Sequence, residues 1–286
     1  MIFAIDVGNS SIKTGCFQGE RLLFTGRCRS KPDPKRSTED FLLYFQDLIE
    51  MHRAEIHAGF LTRDAERCQA GSHPGKPGSS AGPLRPEGAI VSSVVPEIMP
   101  ELCGALKLLS GAEPVIADRS MISGFRMDKY DISLIGMHRL VDMTAAVAEH
   151  CTPVCVFDLG TATTMSVKDP EGSFLGGSIT AGVQLTLDAL AERASQLPKL
   201  KAEATEKLVG GNTRECMVNG AVIGCACMID GTAERLSEEL AAPGMPLVVT
   251  GGLSPYVLPW CRYPVHHEPN LTLRGLRQMY LTATGS

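Results

Sequence analysis

Apolar and polar positions along the chain alternate between two periods, near two in some stretches and near 3.6 in others, and the switches mark the elements. Residues 2–7 form a short apolar run that ends at a turn-prone Gly8-Asn9, and runs at 12–17 and 22–26 follow at hairpin distances, which predicts an antiparallel meander. Between 38 and 51 the apolar residues Phe41, Leu42, Tyr44, Phe45, Leu48 and Ile49 fall at helical spacing, with Ser37 or Thr38 available as the cap. The pattern then predicts a β-branched strand at 89–95, a helix near 96–109, a short strand at 114–117 and a helix at 139–150. A strand at 154–158 and its hairpin partner at 163–168 repeat the opening arrangement. Helices at 181–196 and 214–240, a strand at 247–250 running into Gly251-Gly252, and a helix near 273–282 complete the series. Strands alternating with helices in this way imply an α/β layering.

One segment breaks the pattern. From 67 to 87 the chain turns to Gly, Pro, Ser and Arg, as in GSHPGKPGSSAGPLRPEG, too poor in apolar surface to offset the entropy of ordering, and a disordered surface insertion is expected there. With 286 residues, the chain suits two domains of ordinary size, expected at 1–151 and 152–286.

The candidate chemistry lies in an internal repeat. Ala4-Ile5-Asp6-Val7-Gly8-Asn9-Ser10-Ser11 and Val156-Phe157-Asp158-Leu159-Gly160-Thr161-Ala162-Thr163 share one plan: a buried strand closed by Asp, a Gly that permits a tight turn, then amides and hydroxyls. Two such hairpins can clamp a polyphosphate. A carboxylate beside phosphate repels it unless a cation intervenes, so Asp6 and Asp158 are candidate metal or metal-water ligands. Lys13, on the second strand of the first hairpin, can bring an ammonium to the same phosphate. Backbone without side chains at Gly251 and Gly252 permits close approach of a flat ligand such as adenine.

Composition removes several alternatives. The formal net charge is −5 and no run of Lys or Arg forms a basic stripe, so nucleic acid is not an expected partner. The N-terminal MIFAIDVGN lacks a basic n-region, and a soluble, cytoplasmic protein with no membrane span is expected. Ten cysteines and seven histidines complete no four-ligand zinc pattern, which leaves buried free thiols as the expectation.

The segments DVGNSSIK, DLGTATT and TGGL, in this order, resemble the three nucleotide-binding motifs of the superfamily of actin, sugar kinases and acetate kinase. VSSVVP at 91–96, GGSITAGVQLTLDALAERASQLPKL at 176–200, GNTRECMVNG at 211–220 and LTLRGL at 271–276 are similar to segments of type III pantothenate kinases. The resemblance implies duplicated ribonuclease H-like domains with a nucleotide cleft between them. It implies Mg-ATP contacted by Asp6, Val7, Gly8, Asn9, Ser10, Ser11, Ile12, Lys13 and Thr161, with Gly251 and Gly252 at the adenosine and a monovalent cation, K+ or NH4+, on Asp158. Gly136, Met137, His138, Arg139 and Thr213 would contact pantothenate, with Tyr130 lining the same pocket, in a homodimer whose subunits meet at that site. Arg139 suits the role, since its guanidinium fork can grip a carboxylate. The implied reaction is ATP-dependent phosphorylation of pantothenate to 4′-phosphopantothenate, the first step of coenzyme A biosynthesis.

One position departs from that pattern. The family's Gly-x-Asp-Arg stands here as Gly136-Met137-His138-Arg139, so the catalytic position holds an imidazole, which can accept a proton near pH 7 but cannot duplicate a carboxylate's charge. The alternative function is an impaired or silent paralogue with a binding or regulatory role. A phosphohydrolase would need a further acid in the motifs, and none is present.

Overall fold

The computed structural model describes residues 1–30, 35–59, 84–150 and 153–285, and most of the expected insertion at 67–87 lies outside them. Two compact units are present: Met1–Met121 together with Thr272–Ser286, and Ile122–Leu271.

The first unit is built on a five-stranded sheet of order β3-β2-β1-β4-β5, from β1 (Ile2–Val7), β2 (Ser11–Gln18), β3 (Arg21–Arg29), β4 (Gly88–Ser93) and β5 (Val115–Ile116). The first three strands form the expected meander, and β4 joins β1 in parallel. The pleat sends alternate side chains to opposite faces. Phe3, Ile5 and Val7 go to a core shared with α1 (Thr38–Met51) and α2 (Met99–Ser110), which contribute Phe41, Phe45, Leu102 and Leu106. Helix α1 starts at a reciprocal capping box, in which Asp40 N donates to Ser37 Oγ and Ser37 N donates to Asp40 Oδ2. Ala4 lies beside Gly15 in the register, a patch of small side chains. There the C-terminal helix approaches closely: a Cβ on Gly15 would stand 3.0 Å from Leu273 Cδ1.

The second unit repeats this plan. Its main sheet runs β11-β10-β6-β7-β8, with β6 (Val154–Leu159), β7 (Ala162–Lys168), β8 (Phe174–Gly176), β10 (Leu247–Thr250) and β11 (His266–His267); β9 (Ile179–Ala181) pairs with β7. Starting from the third strand of each meander, both sheets follow the order third, second, first, fourth, fifth. The meander pairs are antiparallel and the fourth strand lies parallel to the first in both. This is the ribonuclease H-like sheet, present twice. Helix α3 (Met137–Glu149) packs along β6 and β7, and α4 (Val183–Arg193) packs on α5 (Thr213–Glu239). The core between α5 and the sheet holds Phe157, Leu159, Val249, Leu187, Val222 and Ile229.

Two expectations need correction. The units do not divide at 151/152, because α3 packs on the second sheet and the last helix, from Thr272 onward, belongs to the first unit. A connection of this kind leaves no mark in local periodicity. The expectation of no apolar run of membrane length also changes, since α5 is long and apolar enough to cross a bilayer by length and composition. Half of its most apolar stretch is buried within its own unit, as in the core helix of a soluble protein.

Candidate active site

In the first unit, Asp6 closes β1 directly opposite Lys13 on β2, with Ser92 of β4 its parallel neighbour on the other side. Residues facing one another across a ladder share a face, so the pairing aligns a carboxylate, an ammonium and a hydroxyl in one row. Gly8 N donates to Ser11 O at 3.1 Å to close the turn, leaving Asn9 and Ser10 exposed at its tip. Two contacts stiffen this turn. The Ser30 hydroxyl donates to Gly8 O, and Arg27 Nε donates to Ser11 Oγ at 3.0 Å. Ser30 was not legible as a site residue, because it lies 22 positions from Gly8 with no local motif.

The second unit builds the same hairpin with different parts. Asp158 closes β6 opposite Thr164, and its parallel neighbour on β10 is Thr250. Gly160 N donates to Ala162 O at 3.2 Å to close the turn. Backbone from elsewhere crowds this turn, since a Cβ on Gly182 would lie 2.5 Å from Thr161 O. Gly251, at φ +98°, has no room for a side chain, as a Cβ would fall on the Leu159 backbone and 2.6 Å from Asp158 Oδ1. The Gly251-Gly252 turn thus lies against the acidic hairpin, held by Ser254 Oγ donating to Gly251 O at 2.7 Å.

Beside this hairpin sits the segment expected to take substrate. His138 and Arg139 occupy the first turn of α3, after Gly136 as N-cap. Burial holds the His138 imidazole below its ordinary value; the Asp158 carboxylate opposes that shift and the Arg139 charge adds to it. The ring folds back over Gly136, where a Cβ would stand 3.0 Å from His138 Cε1, so this glycine leaves room for the histidine. Arg139 is 6% exposed. Its Nε donates to Ser166 Oγ at 3.0 Å and its Nη2 to Met165 O at 2.7 Å, while the guanidinium lies over the Phe174 ring at 5.8 Å. Tyr130 stands close enough to Arg139 to favour its charged form against burial, and the Tyr130 ring meets Phe174 edge-on at 5.4 Å. Among the described residues, no acid forms an ion pair with Arg139. Ser166, Phe174 and Gly177, where a Cβ would overlap Met165 O, were missed from sequence. They hold Arg139 through tertiary contact, although Gly176-Gly177 opens a segment that resembles the family's.

Two expected groupings are not assembled by side-chain contact. Thr213, the exposed first residue of α5, lines a shallow depression with Leu190, Leu197, Gly210, Asn212 and Cys216, and no member of the Tyr130–Arg139 group lines it. Among the described residues, no three His, Cys, Asp or Glu side chains gather as a metal centre. Within its own unit each of Asp6 and Asp158 is thus a single acidic group that suits a cation keeping most of its water, not an all-protein cage. The eight cysteines described are free as expected, but not all are buried: Cys216 and Cys227 are exposed.

A duplicated ribonuclease H-like chain with an acidic phosphate-type hairpin in each copy is the frame of the actin and sugar-kinase class of phosphotransferases. Comparison with known proteins narrows the class. A sequence model of type III pantothenate kinase matches residues 2–235. A type III pantothenate kinase of Streptomyces griseus is 30% identical, over 98% of this chain and 97% of the relative. That of Acidothermus cellulolyticus is 31% identical, over 98% of both chains. Among solved structures, a "conserved putative Baf family transcriptional activator" from Campylobacter jejuni matches with a TM-score of 0.52 at 14% identity, covering 99% of this chain and all of that one, a likeness of fold. The chain belongs to the type III pantothenate kinase family.

Proposed function

We infer that this chain transfers the γ-phosphoryl group of ATP to the primary hydroxyl of pantothenate, giving 4′-phosphopantothenate in the first step of coenzyme A biosynthesis. One observation within the site supports pantothenate above other alcohols. Arg139 is a buried guanidinium whose described protein contacts are neutral oxygens and aromatic rings. A buried charge is costly unless paired, and the pantothenate carboxylate is the counter-charge that a guanidinium fork suits. Tyr130, Gly136, Met137 and His138 would line that position, and Thr213 would complete it from the second copy of a homodimer.

Residues 6–13 and Thr161 hold the ATP phosphates, Lys13 supplies positive charge to them, and Gly251-Gly252 faces the adenosine. Asp6 and Asp158 would hold the cations, Mg2+ at either and K+ or NH4+ at Asp158. When bound, Mg2+ neutralises charge on the phosphate oxygens. The substrate hydroxyl oxygen forms the new bond to the γ-phosphorus as the bond to the β-bridging oxygen breaks, and the hydroxyl proton passes to His138. Burial keeps that imidazole neutral and able to accept, while the nearby Asp158 carboxylate favours the imidazolium once formed. Phosphoryl transfer depends mostly on positioning and electrostatics, so histidine in place of aspartate is compatible with turnover. The cytoplasm, where ATP and pantothenate meet, is the proposed location, and the protein acts on a small molecule, with neither nucleic acid nor membrane as partner.

The test is a coupled assay with ATP, Mg2+, K+ and pantothenate on wild type, Arg139→Ala and His138→Asp. Arg139→Ala is expected to lower kcat/KM for pantothenate by roughly 100-fold or more, as for a lost charge-assisted contact. A well-folded wild type that binds ATP and pantothenate without product would instead identify the silent paralogue.

A further inference from the structure

The residues 122–130, which end in Tyr130, are tied to the β7–β8 turn far more heavily than a surface loop requires. Arg126 forms a parallel bridge with Ser173: Arg126 N donates to Gly172 O at 2.9 Å and Phe174 N donates to Arg126 O at 2.8 Å. Lys168, 7% exposed, donates from Nζ to Gly124 O at 2.7 Å. Gly124 sits at φ +84°, where a Cβ would lie 2.6 Å from Val147 Cγ2, so the loop is pressed on α3 as well. Nearest to Tyr130, Lys129 Nζ stands 2.6 Å from Asp169 Oδ2. Asp169 is 1% exposed, and its other oxygen accepts from Ser173 N at 2.7 Å, fixing its carboxylate in the turn. The Lys129 side chain is 47% exposed.

The consequence appears one residue further on. Tyr130 lies against Gly176, where a Cβ would be 2.8 Å from its Cε2, and packs edge-on against the Phe174 ring that Arg139 lies over. Arg139 is itself held by Met165 and Ser166 of β7, the strand that leads into Lys168 and Asp169. One strand therefore fixes the guanidinium directly and the phenol indirectly, through the Lys129–Asp169 pair.

We propose that Asp169 and Lys129 are positioning residues for the acid end of the substrate: their ion pair fixes Tyr130 against Arg139 and so sets affinity for pantothenate, with little part in the phosphoryl step. This rests on the assignment of the Tyr130–Arg139 group to pantothenate. An ion pair with one member buried loses more on truncation than a surface pair. The effect should fall on binding, because neither residue touches the hydroxyl or the phosphate.

The test is steady-state kinetics on wild type, Lys129→Met, Lys129→Arg and Asp169→Asn, with pantothenate and ATP varied separately and hydrogen exchange followed over 122–130. Lys129→Met should raise KM for pantothenate by roughly 5- to 10-fold, leave kcat within about 2-fold and leave KM for ATP unchanged, with faster exchange in the segment. Lys129→Arg should restore wild-type values. Because Lys129 is nearly half exposed, its variants remain informative if Asp169→Asn fails to fold. An active wild type with an unaltered pantothenate KM in Lys129→Met overturns the positioning role alone, as does an equal rise in both KM values. A wild type that neither phosphorylates nor binds pantothenate overturns the functional reading, and the positioning role with it.

Discussion

The two acidic hairpins follow the same path through their sheets and are constrained in opposite ways. In the first, the turn at Gly8 is open: a Cβ there would meet only Ser11 O, at 3.4 Å, and side chains provide the chemistry, with Lys13 opposite Asp6. In the second, Thr164 takes the place of Lys13, and the turn is hemmed in by backbone at Gly182 and Gly251. The duplication has kept the carboxylate in both copies while one copy carries the cation and the other the close fit. A second ammonium beside Asp158 would compete with the cation proposed there.

If the second hairpin is the shape-determining one, Gly251→Ala should cost about 3 kcal/mol or more of stability, through positive φ and backbone overlap, and Gly8→Ala under about 1 kcal/mol. Urea titrations of the two variants measure both, and equal losses would remove the contrast. If charge resides in the first copy, Lys13→Met should raise KM for ATP by roughly 10-fold or more, while Thr164→Ser leaves it within about 2-fold. His138 offers a pH test of the second unit. Its folded pKa lies below the unfolded value of about 6.5, so between the two the unfolded chain holds more protons and stability rises with pH. Its contribution is complete above the unfolded value and is lost as pH falls through the folded one. Stability of wild type minus His138→Asn should therefore fall on acidification below about 6.5, and a flat difference would refute the burial account. The smallest effect is expected away from both hairpins. Ala241 sits at φ +47° just past α5, where Ala242 N donates to Ser237 O and Ala241 N donates to Glu238 O, the C-terminal arrangement that favours glycine. Ala241→Gly should raise stability by about 0.5–1 kcal/mol, seen as a higher Tm.

Much of this was legible in the residues. The apolar periods placed β1–β7, β10 and the long helices to within a few positions, and the Asp-x-Gly repeat marked both hairpins, because these features are local. They did not place the two- and three-residue strands β8, β9 and β11, too short to show a period. The repeat also extends further than its motifs suggested. Ser92 and Thr250, in the unlike segments VSSVVP and VTGGL, are equivalent neighbours of the two aspartates, visible only once β4 and β10 pair with β1 and β6. Ser30 behind the first turn, and Ser166 and Gly177 around Arg139, also depend on contacts between distant positions. Sequence named Arg139 as a ligand for a carboxylate; only the fold showed it buried against neutral partners.

The C-terminal helix has a consequence for how the chain matures. Residues 1–121 emerge first from a ribosome, yet the unit they form is completed only by the segment from Thr272, which covers Gly15 and whose Arg277 Nε donates to Gly19 O. The portion at 122–271 holds all its own strands and can reach its final form while the earlier portion still waits, with the face around Ala4 and Gly15 open to water or to a chaperone. Order of synthesis and order of completion are thus inverted, and truncation at the far end of the polypeptide would be felt first in its opening strands.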